Sequence, residues 1–331
     1  MKHFFVINPH SFRLSNDLSK VIQECESCFA CGSTDYRIYI SRYPRDAIAA
    51  VHRYLTEASP KETVRIYAVG GDGILFDCLN GMVHFPNAEL TNIPYGGTND
   101  FIRVFGENAK LAFRNVKTLV SAPAQYVDII HCGQNYALIE VNVGLVAQAV
   151  IYANFLFRNP WTKWTRYFAG FVYSLSATFA LLKNDEVLQQ PYTATLDGED
   201  ISGKYCEIHV ANSAFDGGVH IPMPYALPND GFLDLTLVDA MSRLNSILTI
   251  KDRNKGHFEK HKAFHHRKCQ SLELKSEVPL RVQMDGESFY AQEFKLKIVP
   301  NGIKFIAPEG MRPVDNSHFA YRKTAKKGKS K

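Results

Sequence analysis

The sequence predicts an α/β domain followed by a mainly β domain, and three observations carry that reading. The first third alternates β-rich apolar runs with helical ones. From about Tyr126 the runs become paired strands joined by tight turns, and two glycine-rich stretches each follow a strand of the first region directly. At 331 residues the chain is long for one core and fits two domains, with 46% apolar residues to fill them.

The elements follow in order. KHFFVI is the first strand, and a helical stretch runs from there to about Phe29. YRIYI then precedes RDAIAAVHRYLTEA, VRIYAV precedes ILFDCLNGM, and AELTNIP closes the series. This βαβα rhythm predicts a doubly wound parallel sheet with helices on both faces, where ligands sit beyond the carboxyl ends of the strands. Leu75, Leu79 and Met82 mark one face of the helix after VRIYAV. Beyond Tyr126, QYVDIIH and YALIEVNV flank CGQN, and YTATL and KYCEIHVAN flank DGED; SLELK, PLRVQM, EFKLKIV and IKFIA come later. Asp197-Gly198, Asp285-Gly286 and Asn301-Gly302 are hairpin turn pairs, so an antiparallel β-sandwich is expected. The expected boundaries are 1–125 for the α/β domain and 126–300 for the sandwich. A segment of about 300–320 returns to the first domain, and 321–331 form a basic tail.

Composition narrows the function classes. The net charge is +5, but Arg322, Lys323, Lys326, Lys327, Lys329 and Lys331 fall in the last ten residues, leaving 32 bases against 33 acids in the body. A tail of this kind cannot bury itself, and it meets anionic lipid at ~1 kcal/mol per basic residue. The body offers no basic face with interleaved aromatics, which argues against nucleic acid. No signal peptide is legible, and the longest uncharged apolar stretch, Tyr167 to Leu182, is 16 residues, short of the ~20 of a spanning helix. Seven cysteines without a framework point to a reducing cytosol, and Cys25, Cys28 and Cys31 read as thiols rather than a metal site. The expectation is a cytoplasmic protein at the membrane periphery. The aromatic run 151–184 reads as a helical lid on the sandwich core, with a lipid-facing cap as its alternative.

Chemistry concentrates in YAVGGDGILFDCLNG, Tyr67 to Gly81. Three glycines around one carboxylate at a strand-to-helix turn bare amide groups and a helix N-terminus to an anion, with Asp72 placed to hold a cation or hydroxyl. Such a pair suits a magnesium nucleotide. The stretch is neither a Walker loop nor GxGxxG. A second glycine-rich loop, IPYGGTNDFIRVFG, follows the next strand, so two loops at one sheet edge could close over a triphosphate.

With GGDG, then GGTNDF, then a distal DGE, the chain resembles the diacylglycerol kinase catalytic-domain family, which includes bacterial lipid kinases and the sphingosine and ceramide kinases. The resemblance extends over about 300 residues. It implies an NAD kinase/diacylglycerol kinase-like nucleotide domain and transfer of the γ-phosphoryl of ATP, with Mg2+, to a lipid hydroxyl, diacylglycerol foremost. It makes Asn8, Pro9 and Ser11 in FFVINPHS nucleotide contacts, with Ser41 a weaker one. Gly70, Gly71, Asp72 and Gly73 of the first loop join them, as do Gly96, Gly97, Thr98, Asn99 and Asp100 of the second. VANSAFDGGVHIPMPYALPNDGFLDLTLV is similar to the family's NGxxxGGGxxxxPxAxxDDGxLDV, which implies a structural magnesium on Asp230 and the carbonyls of Leu227 and Phe232. Asp128 matches a family aspartate in the acidic network, and Asp72 holds metal directly or through water. DGE occurs twice, at 197–199 and 285–287. Only the second follows a VQM strand near the C-terminus, so Asp285 and Glu287 are the catalytic candidates, either one accepting the substrate proton.

The chain also departs from the family pattern. Ile74 stands where GGDGT has threonine, Phe76 where a polar residue is usual, Gly97 at the threonine of GTxNDF and Phe12 at the glycine of NPxSG. These changes bear on nucleotide affinity more than on fold, and they support the alternative of a catalytically impaired nucleotide- or lipid-binding module. A kinase for another lipid, such as a sphingoid base, is a further alternative. An NAD kinase relative also uses GGDG but would lack NDF and the distal DGE. His257, His261 and His265 recur at four-residue steps but read as a polar strand or loop, since no HExxH completes a site. The partners expected are a lipid substrate and, through the tail, an anionic membrane; a homodimer stays open.

Overall fold

The computed structural model describes residues 1–12, 15–30, 33, 35–159, 161–183 and 186–318. The basic tail and Cys31 therefore lie outside the described residues. β1 (Lys2–Ile7), β2 (Tyr36–Ile40), β3 (Val64–Gly70) and β4 (Ala88–Pro94) form a parallel sheet in the order β4-β3-β1-β2. α1 (Ser15–Glu26), α2 (Asp46–Glu57) and α3 (Asp72–Met82) are the crossovers. β3 and β4 are buried at every position, as strands covered on both faces must be. α4 (Ala109–Ala112) and α5 (Val116–Ser121) lead out of this layer.

The second domain is antiparallel. β5 (Ala124–Cys132), β6 (Asn135–Ala137) and β7 (Glu140–Gly144) are followed by two helices, α6 (Leu145–Arg158) and α7 (Ala169–Lys183). Then come β8 (Gln190–Leu196), β9 (Glu199–Asp200), β10 (Gly203–Ala211), β11 (Leu233–Asp239), α8 (Arg243–Arg253), β12 (Phe264–Cys269), β13 (Ser271–Met284) and β14 (Glu287–Ile306). β10 and β13 each pair with β7 near one end and with β8 near the other. The sheet thereby folds over itself as a β-sandwich around Val141, Leu196, Val210, Leu235, Leu272 and Val282. Phe76 of α3 belongs to this second core, which explains an apolar residue at that position: it is an anchor between the domains.

SLELK–PLRVQM and EFKLKIV–IKFIA are single long strands, not pairs. Asn301-Gly302 is accordingly not a hairpin turn but a register shift inside β14 between Val299 and Ile303. Gly302 is needed there because a Cβ would stand 2.5 Å from the Ile129 side chain, and Asn301, at φ 52, donates its amide to Asp128 Oδ1 at 2.7 Å. The far end of β14 pairs in parallel with β4, Phe305 opposite Leu90, so one strand runs through both domains. His265 and His266 lie on β12, while His257 and His261 flank a 3-10 turn and face Asp252. No described helix is long and apolar enough to cross a membrane.

Candidate active site

The first glycine turn forms where β3 ends. Gly70 has φ +152, and a Cβ there would meet Ser11 Oγ at 2.8 Å and the Ile74 side chain at 2.9 Å. Gly71 caps α3 without a side chain, leaving the first amides of the helix unbonded within it. Across from it, a Cβ on Gly96 would lie 2.3 Å from Gly71 Cα. The two glycine loops therefore touch backbone to backbone, and any larger residue would part them. Beside them opens a cavity of about 690 Å³ lined by Asn8, Ser11, Gly71, Gly73, Gly96 and Gly97. Lys110 and Arg114 supply positive charge to it, and Phe12 and Tyr95 form an aromatic wall with ring centroids 4.8 Å apart. Burial, aided by Arg114, holds the Lys110 ammonium below its ordinary value.

Asp72 sits in the first turn of α3 and faces the second loop, not the glycine cavity. Its Oδ2 accepts from Thr98 Oγ1 at 2.8 Å and from the Asp100 amide at 3.0 Å. Thr98 thus uses its hydroxyl to fix Asp72. Asn99, at φ 53, clamps Gly96 by both amide atoms. Asp100 bonds Arg103 at 2.9 Å and accepts from the Gly218 amide at 3.0 Å, which ties the loop to the second domain.

A second cavity, of about 200 Å³, lies on the other side of Gly73, which lines both. Asp72, Thr98 and Asp100 border it from the first domain; Glu140, Asp216, Gln283, Asp285 and Glu287 border it from the second. Asp285 and Gly286 join β13 to β14 at φ 46 and 86, the signature of a type I′ hairpin. Asp285 accepts from the amides of Leu138, Ile139 and Glu140 at 2.7, 3.0 and 2.9 Å. Burial nevertheless outweighs those bonds and pushes its carboxyl up to about 7. Glu287 pairs with Arg45 at 3.4 Å, and Arg45 also reaches Asp77 at 3.1 Å and lies over the Phe76 ring.

The cavity concentrates carboxylates, of which Asp100, Glu140 and Asp285 are buried. Burial, then the neighbouring Asp72 and Asp216, raises Asp100 to about 7; burial and Glu140 raise Asp216 to about 7. Glu140 is held well above its ordinary range by burial, Asp285 and Asp100. It meets His209 Nε2 at 2.9 Å, and burial lowers that imidazole. The pair therefore favours its uncharged form.

Of the expected residues, Asn8, Ser11, Gly71, Gly73, Gly96 and Gly97 line the larger cavity. Asp72, Thr98, Asp100, Asp285 and Glu287 line the acidic one. Pro9 starts the 3-10 turn that Asn8 caps; Gly70 and Asn99 shape the loops from behind. Ser41 stands at the end of β2 outside both linings, its amide on Ile7 O. Asp128, Leu227, Asp230 and Phe232 also lie outside both. Asp128 accepts the Gly231 and Asn301 amides, and Asp230 is paired with the Lys268 ammonium, which approaches Asp234 as well. A lysine on that carboxylate does not fit a structural cation there. Glu140, Asp216, Lys110 and Arg45 were not legible as site residues. The available signals were an acid inside a largely apolar run, IEVNV, for Glu140, and for Asp216 its place beside Gly217-Gly218 in the family-like VANSAFDGGVH stretch.

Comparison with known proteins bears on this geometry. Residues 2–132 match the family model of the diacylglycerol kinase catalytic domain, and residues 160–307 match that of the YegS C-terminal NAD kinase beta sandwich-like domain. A Shewanella frigidimarina protein named "Probable lipid kinase YegS-like" is 24% identical over 77% of this chain and 80% of its own. A "Putative lipid kinase" of Staphylococcus aureus is 26% identical over 81% and 85%. In fold, a Bacillus anthracis crystal structure titled as a "putative diacylglycerol kinase" superposes with a TM-score of 0.72 at 22% identity, covering 94% of this chain and 98% of its own. With both of its domains matched in order, the chain belongs to the diacylglycerol kinase catalytic-domain family.

Proposed function

We propose that the protein is an ATP-dependent lipid kinase that transfers the γ-phosphoryl group to a lipid hydroxyl, with diacylglycerol as acceptor and phosphatidic acid as product. The observation that carries this reading is the meeting of two unlike cavities at Gly73. One is glycine-lined and cationic, fit for a polyphosphate; the other is acidic and borders the Asp285 hairpin.

Phosphoryl transfer passes through a loose transition state, so placement and charge neutralisation matter more than a strong base. The bare amides around Gly71 and Gly73, with Lys110 and Arg114, hold the phosphates, while Phe12 and Tyr95 flank the same cavity. The terminal phosphoryl then lies at Gly73, facing the carboxylates. Magnesium bound with the nucleotide would supply neutralisation of the phosphate charge. Among the described residues no three His, Cys, Asp or Glu side chains form a ready-made chelate. Magnesium does not need one, since it takes one or two carboxylates plus phosphates and water, and Asp72 with Asp100 fits that role.

Asp285 already accepts three amides, so its part is to fix the hairpin. Glu287, oriented by Arg45, is the carboxylate left to receive the hydroxyl proton. Ile139 and Val150 give the cavity an apolar side for the lipid. The test is mass spectrometry of diacylglycerol and sphingoid-base vesicles incubated with the pure chain and magnesium-ATP. Phosphatidic acid should form, Asp72→Ala should abolish it, and Glu287→Gln should lower kcat by ~100- to 10,000-fold while ATP affinity stays within about twofold. Wild-type kcat in Glu287→Gln would overturn the assignment, and a phosphorylated sphingoid base alone would move the acceptor.

A further inference from the structure

The helices between β7 and β8 carry an outward face that is apolar. Trp164, Phe168, Phe171, Leu175, Phe179 and Leu182 are 44–70% exposed; the last four, at three- and four-residue steps, share one side of α7, and the first two lie in the 3-10 helix Lys163–Phe168 that precedes it. Trp161, at 88%, and Phe155 extend the patch, and α8, packed beside α7, adds Leu244, Ile247 and Leu248. The opposite side of α7 is buried through Val172, Ala177, Ala180 and Leu181. Large aromatic and aliphatic side chains present ~150–250 Å² each, so the first six alone leave on the order of 600 Å² of apolar surface bare. A monomer rarely leaves more than a few hundred exposed without a partner.

We propose that this face docks onto an anionic lipid bilayer, lying in its interface without crossing it. Trp settles at headgroup level, and Trp, Phe and Leu form the apolar face of helices that lie in the interface. Residues 141–184 contain Arg158, Lys163, Arg166 and Lys183 and no acid, which complements anionic lipid and opposes a second copy of the chain, whose charges would repel. α7, at 15 residues, spans roughly 22 Å, less than the ~30 Å hydrocarbon core. The same helices line the site from within: Val150, Asn154 and Tyr173 border the acidic cavity, and Asn154 donates to Gly286 O at 2.8 Å. A docked bilayer would thus stand about one helix diameter, ~10 Å, from the Asp285 hairpin. That placement gives the docking its purpose and rests on the lipid-kinase reading; the docking itself does not require turnover.

Trp161 and Trp164 are the chain's two tryptophans, so their emission reports on this patch alone. With nucleotide absent, adding phosphatidylglycerol-containing phosphatidylcholine vesicles should shift the emission to the blue, and lipids brominated in the acyl chain should quench it. Phosphatidylcholine alone should do so more weakly, and removal of residues 322–331 should leave the quenching in place. The double variant Phe171→Asp/Leu175→Asp should weaken vesicle co-sedimentation by about tenfold or more. Absent binding, or vesicle binding with tryptophans that stay unquenched, would overturn the proposal. So would a dimer in sedimentation equilibrium whose tryptophans are already shielded without lipid. Failure of the kinase assay alone would leave the quenching result, and the proposal, unaffected.

Discussion

Replacing Asp216 by asparagine should stabilise the metal-free protein at alkaline pH and do so far less at acidic pH. Burial and the nearby Glu140 push the Asp216 carboxyl from 3.8 up to about 7. Between those values the folded chain holds a proton that the unfolded chain has released, so folding stability falls as pH rises. At 1.36 kcal/mol per pH unit, the difference reaches ~4 kcal/mol by pH 8, with His209 and Arg253 already counted among the groups that lower the shift. Asparagine keeps the shape and an acceptor for the Gly217 amide, yet never ionises.

Urea unfolding with a chelator present, at pH 5, 6.5 and 8, measures this directly. The stability advantage of Asp216→Asn should be only ~1.5 kcal/mol at pH 5 and reach about 4 kcal/mol at pH 8. His3 and His220, lowered to about 4 by burial, act with the opposite sign, adding stability as pH rises to 6.5, but both proteins contain them and they cancel. Magnesium at pH 8 should narrow the gap by stabilising the wild type more, and the variant should be the slower kinase. An advantage that does not change with pH, or a variant less stable at pH 8, would refute the account of a cavity strained by like charge.

Other substitutions separate the parts of the site. Gly96→Ala places a Cβ 2.3 Å from Gly71 Cα, and overpacking of this kind should cost ~1–3 kcal/mol in urea unfolding and weaken ATP binding in calorimetry. Gly73→Ala meets nothing within 4 Å, so the same measurements should give wild-type or slightly higher stability, by ~0.5 kcal/mol, with weaker ATP binding. Arg45→Met removes the cation between Asp77, now at about 6, and Glu287; kcat should fall about tenfold with the KM for ATP unchanged. Lys268→Met strips the ammonium from Asp230 and buried Asp234, lowering stability by ~1–3 kcal/mol, and magnesium should then raise the Tm of the variant more than that of the wild type.

The sequence carries the architecture well where local chemistry and tertiary role coincide. GGDG is one such place, because the glycines demanded by the turn are those that touch Gly96 and open the cavity. Asp285-Gly286 and Asn301-Gly302 show where local reading fails. Both are Asx-Gly pairs with a left-handed first residue, yet one reverses the chain and the other only shifts the register of β14. What decides between them is the pairing available on either side, including β5 and the Asp128 carboxylate, and that is non-local. Glu140 and Asp216 were hidden for the same reason. Glu140 belongs to a largely apolar strand and Asp216 to a glycine-rich turn, and the carboxylates facing them come from residues about 40 to 145 positions away.

The path of β14 gives these separate parts a common frame. The strand begins at Glu287, crosses the sandwich, and ends paired with β4, whose last residue Pro94 opens the second glycine loop. Its register shift at Asn301-Gly302 is pinned by Asp128 and filled by Ile129. Asn80 reinforces the frame by exchanging two hydrogen bonds with the Tyr136 backbone, and Asp100 does so through Gly218. These ties connect the hairpin carboxylates to the amides proposed to bind phosphate. For the proposed reaction, governed by placement and neutralisation of charge, such ties would themselves serve catalysis, and the burial of the carboxylates, with their mutual repulsion second, is what the arrangement costs the fold.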